Sequence, residues 1–146
     1  MDKGVRKPHS APVITRVRQA GEKHQVVTVE GGHAAYRRKP CSDCPWRKDA
    51  TGEFPAEAFR HSAGTAYDMS RDTFACHQSG KRKPAICAGF LLRGADHNLA
   101  IRLGYMTGRF RNDVSDGGLD LHENYRAMAI ANGVEPDDAV LAPCRD

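Results

Sequence analysis

The spacing of four cysteines constrains this chain more than any other feature of its sequence. Cys41 and Cys44 form a Cys-x2-Cys pair, Cys76 follows after 31 intervening residues, and Cys87 follows after 10 more. A Cys-x2-Cys turn lets two sulfurs approach one ion at about 2.3 Å while backbone amides point towards them. The sequence therefore predicts that one metal or iron–sulfur centre organises the fold, with all four cysteines as its ligands.

The compartment in which the chain works decides how its five cysteines are interpreted. The segment Met1–Pro8 lacks the apolar core of a secretory signal, and no apolar stretch approaches the roughly 20 residues of a membrane span. We therefore expect a cytoplasmic protein without a membrane contact. Because a reducing compartment disfavours disulfides, clustered cysteines there more often bind metal. Cys144, third from the end of the sequence, is interpreted as a spare thiol.

Two kinds of centre accept four cysteines. Zinc in small intracellular domains is usually structural, with all four coordination positions filled by the protein. A [4Fe–4S] cluster takes the same ligands and would make the chain a redox or sensor protein. We favour zinc and keep the cluster as the alternative cofactor. His77 is an alternative ligand, or a hydrogen-bond partner of a ligand sulfur.

Three further interpretations of the cysteines stay open. The first is a set of buried side chains without a ligand, since free cysteine is among the most buried residue types. The second is a thioredoxin-like redox pair at Cys41 and Cys44, although such a pair opens a helix and Pro45 follows here. The third is a catalytic dyad of Cys76 and His77, although neighbours on an extended segment point to opposite faces.

A zinc metallohydrolase, for example a nuclease, is the second functional alternative. A catalytic zinc needs an open coordination position, so one cysteine would not be a ligand and His77 would complete the site. His97 and His122 are the available general bases. Asp96 or Asp120 would orient them. The motif lacks the two histidines and one carboxylate typical of catalytic zinc, and we therefore lean towards a protein without catalytic activity.

Basic residues concentrate in the first third of the chain. Residues 1–48 carry 11 Lys and Arg against 4 Asp and Glu, whereas residues 49–146 carry 11 against 14. A basic face suits nucleic acid or an acidic host protein, although no base-stacking motif stands out and a solvated surface is the simplest alternative. The sequence predicts a small zinc-binding module with such a partner. The predicted partner-binding residues flank the cysteines: Arg37, Arg38, Lys39, Arg47, Lys48, Lys81, Arg82 and Lys83.

The predicted fold class is α+β, a small metal-stabilised domain with an N-terminal β-hairpin and three to four short helices. Residues 1–12 are expected to form a flexible basic arm, and residues 13–146 a single domain. Alternating, β-branched residues predict the two hairpin strands at Val13–Arg18 and His24–Glu30, with a turn between them.

The helices are predicted from apolar periodicity and from start signals. Pro55 is expected to open one helix, and a second begins at Ala85 and ends at Gly94. Asp96 and Asp120 are predicted to cap two more. The predicted core comprises Phe59, Phe74, Ile86, Phe90, Leu91, Ile101, Leu103, Tyr125 and Met128.

Three segments together resemble the signature of a known family. They are Cys41–Arg47 (C-x2-C-P-W-R), Phe74–His77 (F-x-C-H) and Cys87–Phe90 (C-A-G-F). This combination is similar to that of uncharacterised proteins from actinobacteria and their phages, over about residues 38–93 and more loosely as far as Val134. The family is a domain of unknown function, so the resemblance implies the four cysteine ligands and a host range but no activity.

Overall fold

The computed structural model describes residues 35–75 and 85–145, together with the backbone of two strands at 13–19 and 25–30. These two strands, β1 (Val13–Gln19) and β2 (Gln25–Glu30), pair in antiparallel fashion. The predicted arm at 1–12 and the predicted turn between the strands lie outside the described residues.

A third strand, in a segment that the sequence predicts only as extended, completes the sheet. β3 (Asp72–Phe74) pairs antiparallel with β2, with Thr28 opposite Phe74, and gives the strand order β1-β2-β3. The run Asp72-Thr73-Phe74 is too short to show a period of two, so only its pairing with β2 identifies it as a strand. Short helices combined with few strands agree with the predicted α+β class.

The described residues form three α-helices of seven or eight residues: α1 (Ala56–Ser62), α2 (Leu99–Met106) and α3 (Tyr125–Ala131). In the sequence α1 lies between β2 and β3, and the other two follow β3. Short 3-10 turns cover Lys48–Ala50 and Ala63–Ala66. The helix predicted from Ala85 is helical only over 88–94, where Phe90–Gly94 forms a π-helix that ends at the predicted glycine. No helix in the described part of the chain has the length and apolar composition needed to cross a membrane.

The predicted caps of the last two helices were wrong. Asn98, not Asp96, caps α2 by accepting a hydrogen bond from Ile101 N at 3.1 Å. Asn124, not Asp120, caps α3 and accepts from Ala127 N at 2.7 Å. A cap must directly precede the first helical residue for its side chain to reach the third amide, and both aspartates lie too early in the chain.

The indole of Trp46 occupies the centre of the core. It lies against three aromatic rings, with centroid distances of 5.9 Å to Phe74, 6.0 Å to Tyr125 and 6.5 Å to Phe90. The tilted and edge-on arrangements are those that aromatic pairs favour. Most of the predicted core is confirmed: Phe59, Ile86, Phe90, Leu91, Ile101, Tyr125 and Met128 are buried and Phe74 is partly buried.

Leu103 was wrongly assigned to the core, because 49% of its surface is exposed. Helical periodicity groups apolar residues on a face but does not say which face another element covers. Buried apolar residues outside the predicted set complete the core: Trp46, Phe110, Leu121, Val134 and Leu141.

Two glycines make room for Trp46. A Cβ atom built on Gly94 would lie 2.4 Å from Trp46 Cη2, and one built on Gly89 would lie 2.5 Å from Trp46 Cβ. Both distances are far below van der Waals contact, so the indole packs directly on the backbone of this segment.

Gly94→Ala is therefore expected to lower the free energy of unfolding by about 1–3 kcal/mol, the usual cost of an overpacked core. Chemical denaturation of the purified protein measures this change. Gly64→Ala is the matched control, because its new Cβ would meet only Asp72 Oδ2 at an ordinary 3.7 Å. Equal stability of the two variants would contradict this description of the packing.

Candidate metal centre

The Cys41–Cys44 segment folds as a tight turn. Cys44 N donates to Cys41 O at 3.1 Å, and Arg47 N donates to Cys44 O at 3.1 Å, so two turns follow each other directly. The backbone N–H of Trp46 also points at the Cys44 sulfur, and the Cys41 and Cys44 side chains are hydrogen-bonded. Amide N–H groups aimed at sulfur favour a negative charge on that sulfur.

Backbone pairing brings Cys87 to this turn. Ala75, which precedes Cys76 in the sequence, forms an antiparallel bridge with Ile86, which precedes Cys87. Cys87 N donates to Phe74 O at 2.9 Å. The chain segment that ends at Ala75 and the segment that begins at Ala85 are therefore paired directly beside Cys87.

The sulfurs of Cys44 and Cys87 lie 3.5 Å apart, and both residues are buried. Cys44 also contacts Cys41, so Cys44 lies in contact with two of the other predicted ligands. The fourth, Cys76, and the alternative ligand His77 lie outside the described residues. Among residues 35–75 and 85–145, no set of three or more His, Cys, Asp or Glu side chains is arranged to hold a metal ion by itself.

The environment of Cys44 opposes an uncompensated negative charge. The hydrogen bond with Cys41 lowers the pKa of the Cys44 thiol, but the hydrogen bond with Cys87 and burial raise it to about 12. Ionising both of two sulfurs in contact carries a high free-energy cost in an interior of low dielectric constant. A thiolate pair at this position therefore needs a cation beside it.

Arg47 clamps the cysteine turn from outside. Its Nη1 lies 3.4 Å from Cys41 O and 3.3 Å from Ser42 O. The guanidinium also forms a two-pronged ion pair with Asp49, with Nε–Oδ1 at 2.8 Å and Nη2–Oδ2 at 2.6 Å. The Arg47 side chain is only 19% exposed. Such a fork holds a planar guanidinium in one orientation, and the turn is held with it.

A second segment supports the turn from the other side. His122 N donates to Trp46 O at 2.8 Å, and Lys48 N donates to Asp120 O at 2.9 Å. The His122 ring is buried and lies 3.2 Å from Thr51 Oγ1, and burial lowers the pKa of His122. His122 is therefore part of the packing around the turn, and its ring pairs with a hydroxyl where the hydrolase interpretation expected an orienting carboxylate.

Several predicted partner-binding residues form ion pairs within the chain. Arg38 Nε lies 2.7 Å from Asp113 Oδ2, and Lys48 Nζ lies 3.6 Å from Asp120 Oδ1. Arg47 is held by Asp49, as described above. Arg37 and Lys39 lie in the same segment, and Arg37 N donates to Ile86 O at 2.9 Å. The remaining predicted residues, Lys81, Arg82 and Lys83, lie outside the described residues.

Cys144 is a core residue in its own right. It is buried and forms a β-bridge with Tyr67, and its sulfur lies 3.8 Å from both Ala63 O and Val140 O. These contacts lie around α1 and its following turn. The thiol that the sequence analysis interprets as a spare is thus a packed side chain.

Two features of this site escaped the sequence analysis. The first is Trp46, whose backbone contacts both the Cys44 sulfur and the supporting segment. Arg47 had been grouped with the partner-binding cations, whereas Asp49 holds it against the cysteine turn. The pair at i and i+2 with opposite charge was the one sequence signal for this clamp.

Comparison with known proteins identifies the family. A search of curated proteins and a search of solved structures each gave no significant match. The model of a family of unknown function, DUF6283, matches residues 36–145. The match includes all five cysteines, the glycines around Trp46 and the three α-helices. The chain is a member of the DUF6283 family of unknown function.

Proposed function

We propose that this chain is a small zinc-binding module in which one Zn²⁺, held by Cys41, Cys44, Cys76 and Cys87, has a structural role. The observation that carries the proposal is the 3.5 Å separation of the Cys44 and Cys87 sulfurs, next to a Cys-x2-Cys turn. Four thiolates are a ligand set typical of structural zinc.

The distance between the sulfurs favours a single ion over a cluster. Four sulfurs at about 2.3 Å from one ion occupy the corners of a tetrahedron whose edges are roughly 3.8 Å long. The observed 3.5 Å between Cys44 and Cys87 is close to that edge. In a [4Fe–4S] cluster each cysteine binds a different iron, so the sulfurs are spread much further apart. The cluster therefore remains the alternative, with less support.

The position of the centre in the chain supports a structural role. The segment 35–54 contains turns and one short 3-10 helix and has no α-helix of its own. Loops of this kind gain little stability from regular hydrogen bonding, so metal binding contributes directly to folding. A site closed by four cysteines also leaves no coordination position for a substrate, which supports a binding protein over a metallohydrolase.

A nucleic-acid or acidic-protein partner at the basic residues beside the cysteines stays a prediction. The internal ion pairs of Arg38, Arg47 and Lys48 lower the charge that these residues offer to a partner. The exposed ion pairs of Arg38 and Lys48 are individually weak, so a polyanion can still displace them.

Metal analysis tests the proposed centre. We expect one zinc per chain and no visible absorption band when the protein is purified without oxygen, because zinc has no redox chemistry and no partly filled d shell. Elemental analysis and a visible spectrum provide the measurement. About four irons per chain with a broad visible band would identify the cluster and overturn the zinc assignment.

Cysteine variants test the ligand set. Cys87→Ser is expected to lose the metal and most of the folded state, since metal binding is coupled to folding. The matched control is Cys144→Ala, which removes another buried thiol but leaves the proposed ligands intact. Zinc content and circular dichroism report the two effects. Retention of zinc by Cys87→Ser, or its loss in Cys144→Ala, would show that the ligand set is wrong.

Arg47 is expected to strengthen zinc binding by positioning the turn and by offsetting the charge of −2 that four thiolates leave on Zn²⁺. Arg47→Gln should weaken zinc affinity about tenfold, the lower end for partners that orient metal ligands. Competition with a chromogenic chelator measures this affinity. Arg47→Lys is expected to recover only part of the loss, because lysine lacks the two-pronged geometry.

Arg60→Gln is the control for this experiment. Like Arg47, Arg60 forms ion pairs within the chain, with Asp138 at 2.9 Å and Glu57 at 3.3 Å. Arg60 lies on α1 rather than beside the cysteine turn. Unchanged affinity in Arg47→Gln, or an equal loss in both variants, would exclude a specific role for Arg47.

A further inference from the structure

The solvent side of α2 is more apolar than a solvated helix requires. Leu99, Leu103 and Met106 lie at i, i+4 and i+7 and therefore share one face of the helix. Leu103 is 49% exposed and Met106 is 81% exposed. On the buried side lie Ile101 and Gly104, the latter packed against the ring of Phe110. The helix thus places two of its largest apolar side chains in water.

A neighbouring loop adds a second exposed methionine. Met69 is 63% exposed and has a φ of +62°, a left-handed conformation that is unfavourable for a residue with a Cβ. Met69 N donates to His97 O at 3.2 Å, and Leu99 N donates to Ser70 O at 2.7 Å. These bonds hold the loop beside the first turn of α2, so Met69 adds an exposed apolar side chain near the start of the helix.

This apolar face lies in a segment rich in arginine. Residues 93–111 contain four arginines and one aspartate, and neither lysine nor glutamate. Arg93, Arg102 and Arg111 are exposed and belong to none of the ion pairs found among the described residues. Arg102 is a neighbour of both Leu99 and Met106 on the helix surface, at i+3 and i+4. Arg102, which belongs to no ion pair of the described residues, therefore places a positive charge beside the apolar side chains.

We propose that this surface, the α2 face (Met69, Leu99, Arg102, Leu103 and Met106), docks a protein segment that presents apolar side chains flanked by Asp or Glu. Exposed methionine and arginine, with lysine and glutamate depleted, match the composition of protein interfaces. Methionine adapts its shape to different partners, and a large exposed apolar face in a small domain indicates a binding surface.

The charges distinguish this partner from two others. A second copy of the chain would bring two segments with a net charge of about +3 each into contact, which is unfavourable at short range. Nucleic acid would pair with the arginines but would leave Leu103 and Met106 facing phosphates, with no apolar surface to cover them. An acidic, apolar protein segment satisfies both parts of the surface. The proposal does not depend on which metal the cysteines bind.

A selection experiment tests the proposal. A random-peptide library displayed on phage is panned against the purified full chain and depleted against the double variant Leu103→Gln/Met106→Gln. We expect enriched peptides that combine Asp or Glu with Leu, Ile or Phe. A synthetic peptide of this kind should bind the double variant, and separately Arg102→Gln, about tenfold more weakly than the unaltered chain. Arg60→Gln, which alters an arginine on α1 rather than on α2, is the control.

Circular dichroism and zinc content establish that the variants remain folded, which is expected because the altered side chains are exposed. Three results would overturn the proposal. One is the absence of enriched peptides, or the enrichment of peptides that bind the double variant as tightly as the unaltered chain. The second is dimerisation of the chain in sedimentation that the double variant abolishes. The third is binding to a DNA duplex that the same variants abolish, with no peptide selected.

Discussion

The packing of Trp46 on the backbone of residues 89–94 is the contact on which the other features of the structure depend. Its ring joins Phe74 on the sheet to Tyr125 on α3. The backbone N–H of Trp46 points at the Cys44 sulfur, and its backbone carbonyl accepts a hydrogen bond from His122 N. One residue therefore links the cysteine turn to the hydrophobic core, and a displacement of the ring would move both.

The cysteines and the core rely on each other for a physical reason. A buried thiol pair is unfavourable as an anion unless a cation compensates it, and a turn without regular structure is unfavourable unless something fixes it. A metal ion at the Cys44–Cys87 contact would meet both requirements, while Arg47 and Asp49 fix the turn from the solvent side. The proposed centre and its surroundings thus stabilise the same short segment.

The sequence predicted the features that arise from local patterns and missed those that arise from tertiary contacts. Alternation placed β1 and β2 to within about one residue, and cysteine spacing grouped Cys41, Cys44 and Cys87. The cap of α2 was missed because a tertiary contact holds Asn98 in position. Its side-chain amide donates to Asp72 O at 2.7 Å, and its side-chain oxygen accepts from Ile101 N. Leu103 was misplaced because periodicity cannot show that nothing in the described chain covers its face. The ligand set itself stays a prediction.

The position of Trp46 has a spectroscopic consequence. It is the one tryptophan of the chain, it is fully buried, and Tyr125 lies 6.0 Å away, within range for transfer of excitation energy between the rings. An indole in so apolar an environment emits at short wavelength and shifts to longer wavelength when water reaches it. The intrinsic fluorescence of this protein therefore arises from the place where the cysteine turn meets the core, and it reports on both at once.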